Sequence, residues 1–224
     1  MKTVDCCFIC NTPYQIIAAS ALTVGEELCA DLYVVPLFDH AEECVKRIRK
    51  ETIFHDVILV DLSVKQRYLS NKRGQFARAA IAASYFEADK IVEGIVKNRA
   101  VYKRIFMSSK EFYSRLFKIY YEKHSIADVV FFDDGEGSYD SQYTYECSKL
   151  DRLLRGILFG QKTAQPAETK YLYCPELYRH LNRENGTIKP LPSFSENPEL
   201  KMQIHRIFGA NKEIDEDVII LGLV

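Results

Sequence analysis

Two adjacent carboxylates, Asp133 and Asp134, follow the apolar run Val129-Val130-Phe131-Phe132 and precede Gly135-Glu136-Gly137-Ser138. A short apolar run bounded by turn residues predicts a buried strand. In open α/β sheets, ligands bind beyond the carboxyl ends of the strands. The pair therefore stands where an acceptor hydroxyl could meet a general base. Neighbours along a strand point to opposite faces, so only one carboxylate is expected to face the crevice while the other caps the turn. Gly135 and Gly137 allow close backbone approach or positive φ, and Glu136 and Ser138 could add ligand contacts. Asp-Gly is also a strong turn signal, and the motif alone leaves turn and active site equally open.

A second cluster, Cys10-Asn11-Thr12-Pro13-Tyr14-Gln15, closes the first apolar run. Thr12, Pro13 and Gln15 fit a capping box, with Thr12 as N-cap and Pro13 at the first helical position. The free N–H groups and positive dipole end of such a helix suit an anionic or hydroxylated ligand. Asn11, Tyr14 and Gln15 offer hydrogen bonds to a sugar; for Thr12 and Pro13 individually, a capped helix without a ligand is the simpler account. Ser108-Ser109 follows another strand-like run and reads as an N-cap. His40 could line the crevice. Tyr139, Tyr143 and Tyr145 could stack on a sugar ring or pack in the core. Lys65, Arg67, Lys72, Arg73 and Arg78 read as a solvated basic face, with attraction to an anionic glycolipid or membrane surface as a weaker alternative.

The elements that must position these residues follow from periodicity. Strand-like runs recur at 4–10, 31–36, 56–61, 103–107, 128–132, 169–174 and 217–223, with helical patterns between most of them. This alternation predicts an α/β fold: a Rossmann-like, mainly parallel sheet with helices on both faces. Ile16, Ile17, Ala19, Ala21 and Leu22 form the buried side of the first helix. A long amphipathic helix is expected over about 72–97, with Phe76, Ala79, Ala80 and Ala83 on its packing face. Phe112, Leu116, Ile119 and Tyr120 form another core-facing stripe. Asn185-Gly186, Pro190, Pro192 and Pro198 make 185–198 linker-like, and a short helix follows at 198–208. The closing run Val218–Val224 reads as the start of a further buried strand.

Composition bounds the rest. The chain has 224 residues, 47% of them hydrophobic, enough for a sizeable core. A net charge of −1 gives no general attraction to nucleic acid. The seven cysteines have no framework spacing. Cys7 and Cys10 lie mid-strand and no second pair completes a zinc site, so these thiols read as core residues. Free buried thiols suit a reducing compartment, the cytoplasm. Neither a dinucleotide fingerprint nor a phosphate-binding loop appears. The oligomeric state is open, a homodimer included.

Taken together, Asn11-Thr12-Pro13-Tyr14-Gln15 and Phe132-Asp133-Asp134-Gly135-Glu136-Gly137-Ser138-Tyr139 resemble the amino-terminal half of glycosyltransferase family 52, the bacterial lipooligosaccharide sialyltransferases. Capsular polysialyltransferases and marine-type sialyltransferases carry a similar acidic-acidic-Gly motif. The resemblance covers essentially the whole chain. It implies a GT-B architecture, two Rossmann-like domains facing across a cleft. Residues 1–212 would be the acceptor-side domain. Residues 213–224 would be the linker and first strand of a donor-binding domain, mostly absent from this sequence; Ile220-Leu221-Gly222 matches its start, and its His-Pro and Ser motifs have no counterpart here. The implied reaction is inverting transfer of sialic acid from CMP-sialic acid to a lipooligosaccharide or capsule glycan. Asp134 would be the base, with Asp133 supporting the turn or the acceptor, and no metal or cofactor is implied. The implied location is the cytoplasm or the inner face of the cell membrane. Three rival readings stay open: a hexosyltransferase using a nucleoside diphosphate sugar, a non-catalytic sugar- or nucleotide-binding domain, and a phosphoryl-transfer enzyme holding magnesium between the carboxylates.

Overall fold

The computed structural model describes residues 4–70, 74–97, 102–108, 111–124, 127–135, 138–139, 169–181 and 186–209. The first strand, β1 (Cys6–Cys10), is buried along its whole length. Such a strand must be covered on both faces, which is the environment of a parallel sheet. Six more strands surround it: β2 (Ala30–Val34), β3 (Asp56–Leu59), β4 (Arg104–Met107), β5 (Asp128–Phe132), β6 (Thr169–Leu172) and β7 (Thr187–Pro190). Their order is β3-β2-β1-β4-β5-β6-β7 and every pairing is parallel. The fold is thus a Rossmann-like α/β sheet, as the alternating pattern predicts. The strand order changes direction between β1 and β4, and at such a switch point the crevice at the carboxyl edge opens.

Two apolar layers cover the sheet. On one face, Cys6, Phe8 and Cys10 pack with α1 (Pro13–Gly25), α2 (Ala41–Ile48) and α8 (Pro198–Phe208). On the other, Cys7 and Ile9 pack with α5 (Ala88–Val96) and α6 (Phe112–His124). Cys7 and Cys10 therefore face opposite sides of the sheet and cannot chelate one ion together. Burial pushes the Cys6 thiol up to about 12, and raises Cys7 and Cys10 as well. All three behave as core residues. Phe8 stacks on Phe106 with centroids 4.4 Å apart and meets Phe54 and Phe132 edge-on. Aromatic pairs of this kind contribute ~0.5–1.5 kcal/mol beyond area burial, and these ones tie β1, β4 and β5 together beneath the crevice.

Three expectations need correction. The helix expected over 72–97 is two helices, α4 (Gly74–Tyr85) and α5, separated by a turn at Phe86 and Glu87. Phe86 N and Glu87 N bond the carbonyls of Ala83 and Ser84, three residues back, which tightens the chain out of the helix. Ala80 is buried, but Phe76 is 79% exposed and Ala83 is exposed, so these two do not face the core; the side chain of Ala79 lies outside the described residues. The linker-like segment contains an edge strand, β7, and a 3-10 turn (Phe194–Glu196). Pro190 is tolerated because it ends an outermost strand. The segment also packs inward: Leu191 is buried, and a Cβ on Gly25 would lie 2.6 Å from Pro192 Cγ, so only glycine fits that approach. Finally, the Ser108 hydroxyl has no partner among the described residues and so does not cap α6, whereas Glu111 accepts from Tyr113 N at 2.7 Å. The run 217–223, residues 213–224 as a whole, Lys72, Arg73, Ser109, Glu136, Gly137, Tyr143 and Tyr145 lie outside the described residues, as does the side chain of Arg78. Among the described residues no helix is long and apolar enough to cross a membrane.

Candidate functional site at the carboxyl edge of the sheet

The α1 N-terminus forms as its sequence dictates. Thr12 is extended and its hydroxyl accepts from Gln15 N at 3.2 Å, with Pro13 next in the chain. A threonine cap of this kind stabilises by about 1 kcal/mol. The reciprocal half of the box is shifted by one residue: Gln15 Oε1 accepts from Asn11 N at 2.7 Å rather than from Thr12 N. The other end of the same amide crosses to β5, where Gln15 Nε2 donates to Asp134 Oδ1. Gln15 is only 1% exposed. It therefore joins the end of β1 to the end of β5 rather than reaching into the crevice, and it holds Asn11 and Asp134 on the same edge.

The two carboxylates have different surroundings. Asp133 is fully buried and accepts four hydrogen bonds. Oδ1 takes Gly135 N at 2.7 Å and the Tyr14 hydroxyl at 3.1 Å. Oδ2 takes Tyr173 N at 3.0 Å and the Tyr139 hydroxyl at 2.5 Å. Tyr139 also accepts from Cys174 N at 2.9 Å, which brings the chain after β6 into the cluster. With its acceptor sites filled from α1, the turn and β6, Asp133 fastens the edge and has no freedom to take a proton from a ligand.

Asp134 is partly exposed. Its N–H donates to Ser138 Oγ at 2.6 Å, closing the Asp134–Ser138 turn, and Gly135 at φ +86° supplies the left-handed residue that turn needs. Oδ1 is held by Gln15, while Oδ2 meets no hydrogen-bond donor among the described residues. Burial lifts the Asp134 carboxyl from its usual 3.8 to about 6, with the Gln15 hydrogen bond opposing the rise and the charge of Asp133 adding to it. A carboxylate in this range is mostly ionised at neutral pH and more basic than an exposed aspartate, as a general base should be.

Thr12, Tyr14 and Ser138 each have their hydroxyl engaged inside the protein. Asn11 and Tyr14 are partly exposed at the crevice. His40 is exposed at the start of α2, at φ +60°, with no capping bond from its side chain. Of the basic stretch, Lys65 pairs with Glu111 at 2.9 Å and Arg67 is exposed. One residue escapes the sequence reading and another, Ser108, is read there as an N-cap rather than as part of the crevice. Tyr173 enters through its backbone N–H, which no residue type advertises; its only signal is its place at a strand end. Ser108 follows β4, beside β1 and β5 in the sheet register, and its hydroxyl is buried without a partner among the described residues. Buried hydroxyls are normally bonded, so Ser108 marks an unmet donor at the switch point. No family model matches the chain, and no curated protein matches it.

Proposed function

We propose that the protein is a glycosyltransferase that moves a sugar, sialic acid from CMP-sialic acid, onto a bacterial surface glycan. The observation that carries the reading is Asp134: a carboxylate at the carboxyl edge of a parallel sheet, oriented through one oxygen by Gln15, with the other oxygen meeting no donor among the described residues. In the proposed step, Asp134 Oδ2 removes the proton of an acceptor hydroxyl. The hydroxyl oxygen then attacks the anomeric carbon from the face opposite the nucleotide, the bond from that carbon to the phosphate oxygen breaks, and CMP leaves with the electron pair. The configuration at the anomeric carbon inverts. General-base help of this kind contributes ~10²–10⁴-fold.

Asn11 and Tyr14, partly exposed at the switch point, are the proposed acceptor contacts. Asp133 supports the turn. In this reading the described sheet is the acceptor side of the enzyme, which works in the cytoplasm or at the inner face of the membrane. The test is release of CMP from CMP-sialic acid by the full-length gene product, with and without a lipooligosaccharide acceptor. Acceptor-dependent release that Asp134→Asn abolishes supports the proposal. Release of UDP from a UDP-hexose instead would move the reading to a hexosyltransferase. Sugar binding without release from any donor would move it to a binding domain.

A further inference from the structure

The crevice holds an aromatic pair that the base chemistry leaves unused. The Tyr14 and Tyr173 rings meet edge-on with centroids 6.1 Å apart, and both residues are partly exposed. One buried carboxylate fixes both. Asp133 Oδ1 takes the Tyr14 hydroxyl, and Oδ2 takes the Tyr173 N–H. Tyr14 also precedes Gln15, which holds Asp134. The rings therefore stand beside the proposed base in a set geometry, and binding a ligand costs little in ordering them.

The Tyr173 hydroxyl supplies the independent sign of a ligand. At this edge the hydroxyls of Thr12, Tyr14, Ser138 and Tyr139 are all engaged within the protein. That of Tyr173 meets no hydrogen-bond partner among the described residues. Ser108 Oγ also lacks one, but it is buried, whereas the Tyr173 oxygen is within reach of solvent. Packing against the α1-side layer accounts for the partly buried ring of Tyr173, not for an unbonded donor at its tip. Burial raises the Tyr173 phenol, so it stays protonated and able to donate. The surroundings narrow the ligand. Asp133 and Asp134 are both carboxylates, and no lysine or arginine among the described residues bonds to Tyr14, Asp134 or Tyr173 or sits over either ring. An acidic ligand would meet like charge. A saturated sugar ring suits the pair, because its C–H groups meet the negative face of an aromatic ring while its hydroxyls bond at the rim.

We propose that Tyr173, braced by Tyr14, is a stacking platform for an uncharged pyranose, with the Tyr173 hydroxyl donating to an oxygen of that sugar. On the transferase reading, on which this rests, the stacked sugar is the part of the acceptor whose hydroxyl meets Asp134.

Saturation-transfer NMR of the full chain with the neutral disaccharides lactose and maltose tests it. The methyl glycoside of N-acetylneuraminic acid is the anionic control and choline the cationic one. Saturable binding of at least one disaccharide is expected, stronger than that of either control. Tyr173→Ala keeps the N–H that Asp133 accepts and should weaken disaccharide binding about tenfold, or ~1.4 kcal/mol, through the loss of one ring face. Tyr173→Phe keeps the ring and should weaken it only about threefold, the size of one modest polar contact. If Tyr173→Ala fails to fold, the preference of the unaltered chain for neutral over charged ligands still decides. No saturable disaccharide binding at millimolar concentration, equal binding of a charged control, or disaccharide binding that a folded Tyr173→Ala leaves unchanged would each overturn the proposal. CMP release by the full-length gene product reads the transferase separately. Disaccharide binding that needs Tyr173, without any release, keeps the platform and removes the transferase. Acceptor-dependent release with an acceptor KM indifferent to Tyr173→Ala removes the platform and keeps the transferase.

Discussion

The sheet has a buried aspartate held by tyrosines at each end, and only one is followed in the chain by a second carboxylate. Near the start of β2, Asp31 accepts from the Tyr102 hydroxyl at 2.6 Å and contacts His55 Nδ1 at 2.9 Å, with Tyr33 and Tyr102 hydroxyls 2.8 Å apart. Just past the end of β5, Asp133 is held by Tyr14, Tyr139 and two backbone N–H groups. Both satisfy the rule that a buried charge must be hydrogen-bonded. The neighbours differ. Asp31 sits between Ala30 and Leu32, both fully buried, whereas Asp133 is followed by Asp134, partly exposed and half-bonded. A tyrosine-held aspartate is thus a structural device that this chain uses twice. Chemistry enters where that device fixes a second carboxylate that is not itself saturated.

The sharpest way to break the comparison is Asp134→Asn. Turnover should fall ~10²–10⁴-fold, while donor binding should hardly change. Stability should move the other way. The folded carboxyl titrates near 6 against an ordinary 3.8, so the folded state holds the proton more tightly. That contribution is fully present below the ordinary value and is lost as pH rises from about 4 to about 6. At pH 7 ionised Asp134 therefore costs on the order of 1–3 kcal/mol, and the asparagine variant should melt about 2–10 °C higher. An inactive variant that also melts lower would make Asp134 structural, like its neighbour.

Asp133→Ala and Asp31→Ala should behave alike and opposite to this. Each strands buried donors, at a cost of about 3 kcal/mol or more, so thermal scanning should show losses of about 6–12 °C. Asp133→Asn should be milder in turnover than Asp134→Asn, with its cost in melting temperature. If Asp133→Asn proved inactive while Asp134→Asn turned over normally, the two roles would be exchanged.

The contrast between the clusters also marks what the sequence discloses. Short-range rules placed β1 to β6, the Thr12-Pro13 cap and the core thiols, because periodicity and capping act over a few residues. The alternation of a strand also announced that the two carboxylates would differ in surroundings, while the choice of Asp134 as the base came from the family resemblance alone. Short-range rules failed where long-range contacts decide. Nothing near Gln15 announces Asp134, 119 residues away. Nothing near Asp31 announces Tyr102. Strand β7 hides behind Asn185-Gly186 and Pro190, because local turn chemistry outweighs the edge position that makes a proline tolerable. The break between α4 and α5 has no proline to signal it.

Removing single tyrosine hydroxyls sharpens the comparison at lower amplitude. Tyr102→Phe and Tyr139→Phe each delete one hydrogen bond to a buried carboxylate, worth ~1.5–3 kcal/mol. Both should lower stability in urea titration. Only Tyr139→Phe should also change acceptor KM, because Tyr139 closes the edge beside Asp134 and Tyr102 lies beneath the far end of β2. Equal effects on KM would mean that the two clusters are coupled through the sheet.

The smallest effect is the most diagnostic for Gln15. If Asp134 is the base, turnover should rise with pH along a limb centred at about 6 and level off above it, since the ionised form is the active one. Gln15 donates to that ionised form and so lowers its pKa, against the rise imposed by burial. Gln15→Leu removes the donor and leaves the carboxylate in a drier site, and both changes favour the protonated form. A hydrogen bond worth ~0.5–1.5 kcal/mol corresponds to about 0.4–1.1 pH units, so the limb should move up by that amount. Turnover at pH 8 should change less than turnover at pH 6, because at pH 8 Asp134 is ionised in both proteins. A residue that only packed beneath the crevice would lower stability and leave the limb at about 6. A limb that stays in place in a folded Gln15→Leu enzyme would remove Gln15 as the group that orients the base.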